Sequence, residues 1–185
     1  MNLLSSLKRA LLASLAVILN SQISWAFGNQ GQWTPIDSKV EFKIFHFMHN
    51  AKGLSNKMSG SVDCADGSKC TYELFIPVMT FASRNEDRDK DMRIAIQSKD
   101  YPHVKLSGTG VVDDDSFKTN MKIDFAGSSH SLPLEFSLTS DWFKRVAKGK
   151  AQLKVSDFGI PLPSLLGMPI EDKLLIEFQV RFEKK

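Results

Sequence analysis

The sequence predicts one all-β domain, an antiparallel sandwich or barrel, behind a short leader that is removed. Three features carry that expectation. Apolar and charged residues alternate through most of the chain beyond residue 38, the pattern of half-buried strands, whose successive side chains point to opposite faces. Clusters of Asp, Gly, Ser and Lys punctuate these runs as turns do. One segment, near residues 83–96, switches to helical spacing. The composition permits such a domain: 185 residues, 42% hydrophobic and 24% charged, exclude a disordered, collagen-like or multi-pass membrane chain.

Residues 1–26 read as a cleavable signal peptide. Lys8 and Arg9 precede the apolar run 10–19, and Ser24-Trp25-Ala26 places small residues at the −3 and −1 positions of a cleavage site. The run is about half the ~20 residues a membrane anchor needs. No cysteine follows the cut to carry a lipid. The mature domain, 27–185, is therefore expected in the periplasm. Without Lys8 and Arg9 the 24 bases fall to 22 against 21 acids, a net charge of +1. That balance gives no reason to expect a nucleic-acid partner. The 13 Phe beside 2 Tyr and 3 Trp ask for a dry core or an apolar ligand.

The strands follow in order. Val40, Phe42 and Ile44 alternate with Glu41 and Lys43; Tyr72, Leu74 and Ile76 repeat the pattern. Met121, Ile123 and Phe125 come next, then Leu134, Phe136 and Leu138, then Ala151, Leu153 and Val155. Leu174, Ile176, Phe178, Val180 and Phe182 form the cleanest run. Turns are expected at 63–69, 113–116, 127–129 and 148–150. Cys64 and Cys70 flank the first turn, and in an oxidising compartment this even pair predicts a disulfide clamping a hairpin. A metal site would need more ligands than the pair supplies.

Ser83-Arg84-Asn85-Glu86 has the form of a helix capping box. Beyond it, Glu86/Lys90 and Asp89/Arg93 are favourable i,i+4 pairs, and Met92, Ala95 and Ile96 share a face. One short helix carried between strands suits a lid over a barrel mouth.

Catalytic signals are thin. The chain has no H-E-x-x-H, G-x-S-x-G, P-loop or dinucleotide fingerprint. Of the four histidines, His46, His49, His103 and His130, the first two lie three apart at a strand end, and a metal site there would need at least one more ligand brought in by the fold. Gly108-Thr109-Gly110 reads as a strand end. Lys144, Arg145, Lys148, Lys150 and Lys154 surround an expected hairpin and read as a solvated loop, with membrane docking beside Trp142 and Phe143 as the sharper alternative.

In several stretches the chain resembles the YceI-like family of exported, lipocalin-like polyisoprenoid-binding proteins. The resemblance spans roughly residues 33–183. It rests on Ile36-Asp37 with Val40-x-Phe42-x-Ile44-x-His46, and on Ser83-x-Asn85-x-x-Arg88-Asp89-Lys90-x-Met92-Arg93 followed by Tyr101-Pro102 and Leu106. Ile123–Gly127, Leu132–Leu134 and Asp157-Phe158-Gly159-Ile160 complete it. The chain departs from the family in a short Ile94–Asp100 connection, in Ser131 where proline is frequent, and in its cysteine pair. The resemblance implies an eight-stranded antiparallel barrel, the helix near its mouth, holding a polyisoprenoid or isoprenoid quinone without catalysis, metal or separate cofactor.

Parity nominates the wall of such a cavity: Val40, Phe42, Ile44, Leu74, Ile76, Leu106, Ile123, Phe125, Phe136, Leu153, Ile176, Phe178 and Val180. His46 shares their parity, placed for a head group or satisfied locally. Arg88 and Asp89 are expected to tether the helix. The final strand, about ten residues at ~3.3 Å each, is long enough for a chain-like ligand. The same alternation fits a solid core. A different class of reading remains: a periplasmic stress or redox-linked interaction protein acting through its surface.

Overall fold

A computed structural model describes residues 30–46, 50–141, 143–162, 164–165 and 167–185. The leader 1–26, His49 and Trp142 lie outside the described residues. Antiparallel strands follow in order: β1 Gly31–Ile44, β2 Ala51–Ser55, β3 Ser59–Cys64, β4 Lys69–Pro77, β5 His103–Asp113, β6 Ser116–Phe125, β7 Ser128–Ser140 and β8 Lys144–Leu153. The connection to the last strand carries a two-stranded hairpin, β9 Ser164–Leu165 with β10 Met168–Pro169, before β11 Leu174–Lys184. Neighbouring strands pair in sequence, and β11 closes the ring onto β1 from Trp33↔Lys184 to Ile44↔Leu174. β2 and β3 are two pieces of one wall strand: β2 pairs with Val40–Ile44 and β3 with Gly31–Trp33. At the break, the buried Ser38 hydroxyl accepts the Met58 N–H at 3.0 Å. Counted so, eight strands of the described residues close the barrel.

The two ends differ. At one, the floor, β3 and β4 are joined by the turn bearing the Cys64–Cys70 disulfide, and β5 and β6 by the two residues between Asp113 and Ser116. At the other, the mouth, β4 runs through a 3-10 turn, Val78–Thr80, into helix α1, Glu86–Ala95, and back to β5. The helix cap lies two residues later than the capping box predicts. Asn85 Oδ1 accepts the Arg88 N–H at 2.8 Å, while the Ser83 N–H donates to buried Asp89 at 2.9 Å.

Two expected breaks are strand interior. Gly108 and Gly110 lie inside β5, and Lys148–Lys150 lies inside an unbroken β8. A second interruption of the wall lies between β7 and β8. β7 and β8 pair only between Ser137–Ser140 and Arg145–Lys148. Beside the unpaired lengths sits a 3-10 turn, Ser156–Phe158, its Phe158 ring buried edge-on to Phe125 and His130.

Candidate functional site

Inward parity on every wall strand brings apolar side chains around an internal cavity of about 560 Å³, within the ~300–1,000 Å³ usual for ligand pockets. The structure brings every nominated residue onto its wall: Val40, Phe42, Ile44, His46, Leu74, Ile76, Leu106, Ile123, Phe125, Phe136, Leu153, Ile176, Phe178 and Val180. Val40, Leu74, Ile76, Ile123, Leu153, Val180 and His46 are buried; the rest are half-buried. Met92 and Ala95 of α1, and Ile96 at its C-cap, line the same space.

Glycines explain why the rings do not fill the lumen. Phe42 faces Gly53, Tyr72 faces Gly108 and Phe178 faces Gly149 as direct cross-strand partners. A Cβ on Gly53 would sit 2.5 Å from the Phe42 ring, and one on Gly149 2.6 Å from Phe178. Gly110 does the same for Phe117, at 2.3 Å. Each ring therefore lies over a missing side chain and along the wall. Tyr72, Phe117, Phe136 and Phe178 continue as a chain of ring contacts, edge-on at both ends and tilted at Phe117–Phe136, with centroids 6.1, 5.3 and 5.3 Å apart. Burial raises the Tyr72 pKa above its ordinary value, against a smaller lowering by its 2.9 Å hydrogen bond with Thr119.

Both ends of the cavity carry polar groups. At the mouth, His46, Ser83, Arg88, Asp89 and Asp91 reach the lining. Asp89 tethers the segment before its helix, as expected. The arginine contact to a backbone carbonyl belongs instead to Arg93, whose Nη2 lies 3.4 Å from Met79 O. At the floor stands Arg145, which belongs to the lining and not to the solvated cluster expected from the sequence. It is 3% exposed, its Cζ 4.0 Å from the centroid of the buried Trp33 ring, and Nη1 donates to Cys64 Sγ at 3.1 Å. Desolvation lowers its pKa to about 10, leaving it charged at neutral pH. Lys144, Lys148 and Lys150 are exposed along β8 and Lys154 just past its end, with Lys150 paired to Glu177 at 2.8 Å. Lys144 stands at the β7–β8 turn, where its N–H donates to Asp141, while Lys148 and Lys150 lie along the strand and not at the turn expected at 148–150. A signal for Arg145 existed: the parity of Leu153 and Ala151, carried back through Gly149 and Ala147, turns it inward.

His103 is exposed, and His130 lies 3.7 Å from Asp157. Among the described residues no group of three His, Cys, Asp or Glu is placed to hold a metal, and no helix is long and apolar enough to cross a membrane.

A closed antiparallel barrel with an apolar interior and a helix at its mouth defines a lipocalin-like fold. The chain belongs to the YceI-like domain family, whose profile matches residues 32–182. Its fold is similar to that of BcnA from Burkholderia cenocepacia, at a TM-score of 0.68 and 16% identity over 78% of this chain and 95% of that one. A polyisoprenoid binding domain from Saccharophagus degradans, implicated in plant cell wall breakdown, gives 0.68 and 13%, covering 83% and 98%. The Campylobacter jejuni YceI protein gives 0.62 and 19%, covering 74% and 86%. No curated protein matches the chain.

Proposed function

We propose that the protein is an exported periplasmic carrier that binds a long isoprenoid lipid, a polyisoprenoid or isoprenoid quinone, inside the barrel and performs no catalysis. The observation that carries this reading is the cavity of about 560 Å³, which the glycine-backed rings leave open along the barrel. Family membership and the likeness to a polyisoprenoid binding domain support the ligand class. The leader and the disulfide support export.

In this reading the nominated wall residues contact the chain, and the lipid itself is the ligand, with no separate cofactor. Each apolar Å² that leaves water contributes roughly 25 cal/mol, offset by the ordering of a flexible tail. His46 faces the part of the ligand nearest the mouth. Loading proceeds through transient contact with a membrane surface.

Native mass spectrometry of the exported protein, followed by organic extraction, tests the reading. The expected result is a bound species from a series spaced by isoprene units. Protein that carries no lipid and takes up no added isoprenoid quinone would overturn it.

A further inference from the structure

The outer surface of the barrel is not evenly charged. On the wall formed by β8, β11, β1 and β2, the side chains that face away from the lumen fall into rows set by register. The row nearest the mouth sets Lys43 beside Lys52, with Leu175 on the other side of Lys43. Lys154 and Lys173 stand just outside the strand ends of that row. Lower rows hold Lys150, Glu177 and Glu41, then Lys148, Gln179 and Lys39. Lys43 and Lys52 are direct cross-strand partners, an arrangement of like charges that costs stability. The Lys43 and Lys173 ammonium groups converge on the Phe45 ring, 4.8 and 5.0 Å from its centroid. None of Lys43, Lys52, Lys148 and Lys173 forms an ion pair among the described residues. At the rim Asp172 is engaged with Ser156, and exposed Glu171 stands beside it. Across the barrel, on β5 and β6, the outward lysines are matched: Lys105 by Glu73, Lys118 by Asp113 at 2.6 Å and Lys122 by Asp124 at 2.9 Å. A chain near neutral beyond residue 26 thus sets an excess of positive charge on one wall, reaching the mouth.

We infer that this wall is a docking face for an anionic phospholipid bilayer, and that it brings the rim of the mouth to the head-group layer. The phosphates of such a surface supply the counter-charge that Lys43, Lys52 and Lys173 lack within the chain. Phe45 and half-buried Leu175, set among the lysines, add the apolar contact that a bilayer interface takes and a nucleic acid does not require. Lysines, as point charges on flexible stems, suit scattered phosphates better than one partner of fixed geometry. The inference rests on the carrier reading and deepens it, naming the side by which the barrel approaches and the lipids it approaches. Cargo then passes between bilayer and lumen at the rim, while the disulfide-closed floor stays in water.

Flotation of the intact oxidised protein with vesicles tests it. Vesicles of phosphatidylcholine alone are compared with vesicles of equal parts phosphatidylcholine and phosphatidylglycerol. Binding to the anionic vesicles is expected to be at least ~10-fold stronger and to fall as salt is raised. A variant combining Lys43→Gln, Lys52→Gln and Lys173→Gln should lose that preference. A second, combining Lys105→Gln, Lys118→Gln and Lys122→Gln, removes the same charge across the barrel and should shift binding by less than about twofold. Uptake of an isoprenoid quinone from solution should be the same in all three proteins. No preference in the wild-type protein, or an equal loss in both variants, would overturn the inference, and intact uptake from solution would leave the carrier reading standing. Docking without uptake would do the reverse. Tighter binding of a DNA duplex than of anionic vesicles through the same lysines would also overturn it. If the first variant does not fold, an amine-acylating reagent applied to the wild-type protein on anionic vesicles decides. Lys52 and Lys173 should be protected and Lys118 should not, and equal labelling would overturn the inference.

Discussion

The two ends of the barrel are continuations of the same strands, yet different physics closes them. At the floor the connections are short, a disulfide joins cross-strand partners, and a buried cation stacks on a fully buried Trp33. At the mouth a helix, two 3-10 turns and a long connection are held by hydrogen bonds: Asn85 to the Arg88 N–H, Asp89 to the Ser83 N–H, Ser55 to Thr80 at 2.6 Å, and Asp172 to Ser156. A short-loop disulfide contributes about 2–3 kcal/mol, largely by restricting the unfolded chain. A net hydrogen bond contributes about 1 kcal/mol and opens reversibly. Exposed Met79 and Ile94, 56% and 66% accessible, lie at the mouth. The carrier proposed above needs one end that holds and one that yields, and this division supplies both.

The largest expected effect breaks the floor. Replacing Cys64 and Cys70 together by Ala should lower the unfolding free energy by about 2–3 kcal/mol in a urea titration. Amide exchange in α1 should stay as in the native protein below the transition; equal loosening there would show that the ends are not independent. Next comes the wall between them. Gly149→Ala drives a Cβ into Phe178 and Phe136, with an overpacking cost of about 1–3 kcal/mol. The displaced rings should occupy the lumen, so lipid uptake should fall further than stability does.

A smaller effect targets the mouth alone. Asp89→Ala leaves the Ser83 N–H without its carboxylate, a loss of about 1–2 kcal/mol. It should appear as faster exchange in α1 and faster lipid release, with the floor unchanged. Smallest is the response to acid. The Ser156 hydroxyl and N–H hold the Asp172 carboxyl below its ordinary range, and the Lys69 and Ser68 N–H groups do the same for Asp66 in the floor turn. A folded pKa below the unfolded one gives stabilisation that is complete above about pH 4 and is lost as pH falls through the folded value. Acidification should therefore loosen the Ser156 turn at the mouth while the disulfide keeps the floor shut. Asp172→Asn should remove that pH dependence of exchange in 156–158.

The choice of a cavity over a solid core came from the family resemblance. Parity made the inward-facing residues legible from the chain alone, because a strand with one face inward must alternate. The wall residues from Val40 to Val180 needed nothing more. Strand limits were harder to read, and for one reason. Gly108, Gly110 and Gly149 carry the local chemistry of turns, but here each makes room for an aromatic ring from elsewhere in the wall. That role depends on register, which one strand's sequence does not contain. The same misreading hid Arg145: once Gly149 stands for a turn, the parity leading back to residue 145 is cut. The helix was legible as an element, and its cap was not, since Ser83 and Asn85 are both good caps and only the chain's path onto β5 selects between them.

The seam beside Phe158 bears on which cargoes fit. Where strands are laddered by hydrogen bonds, the circumference of a barrel is set by strand number and stagger, and widening it means breaking bonds in series. Here the Phe158 ring fills the gap between the upper parts of β7 and β8, edge-on to His130 of β7 and clustered with Leu153 of β8. Side-chain rotation takes far less than the loss of a ladder, so the circumference has a joint that gives under load. For the carrier proposed above, this joint would let one barrel take slim and bulky chains alike.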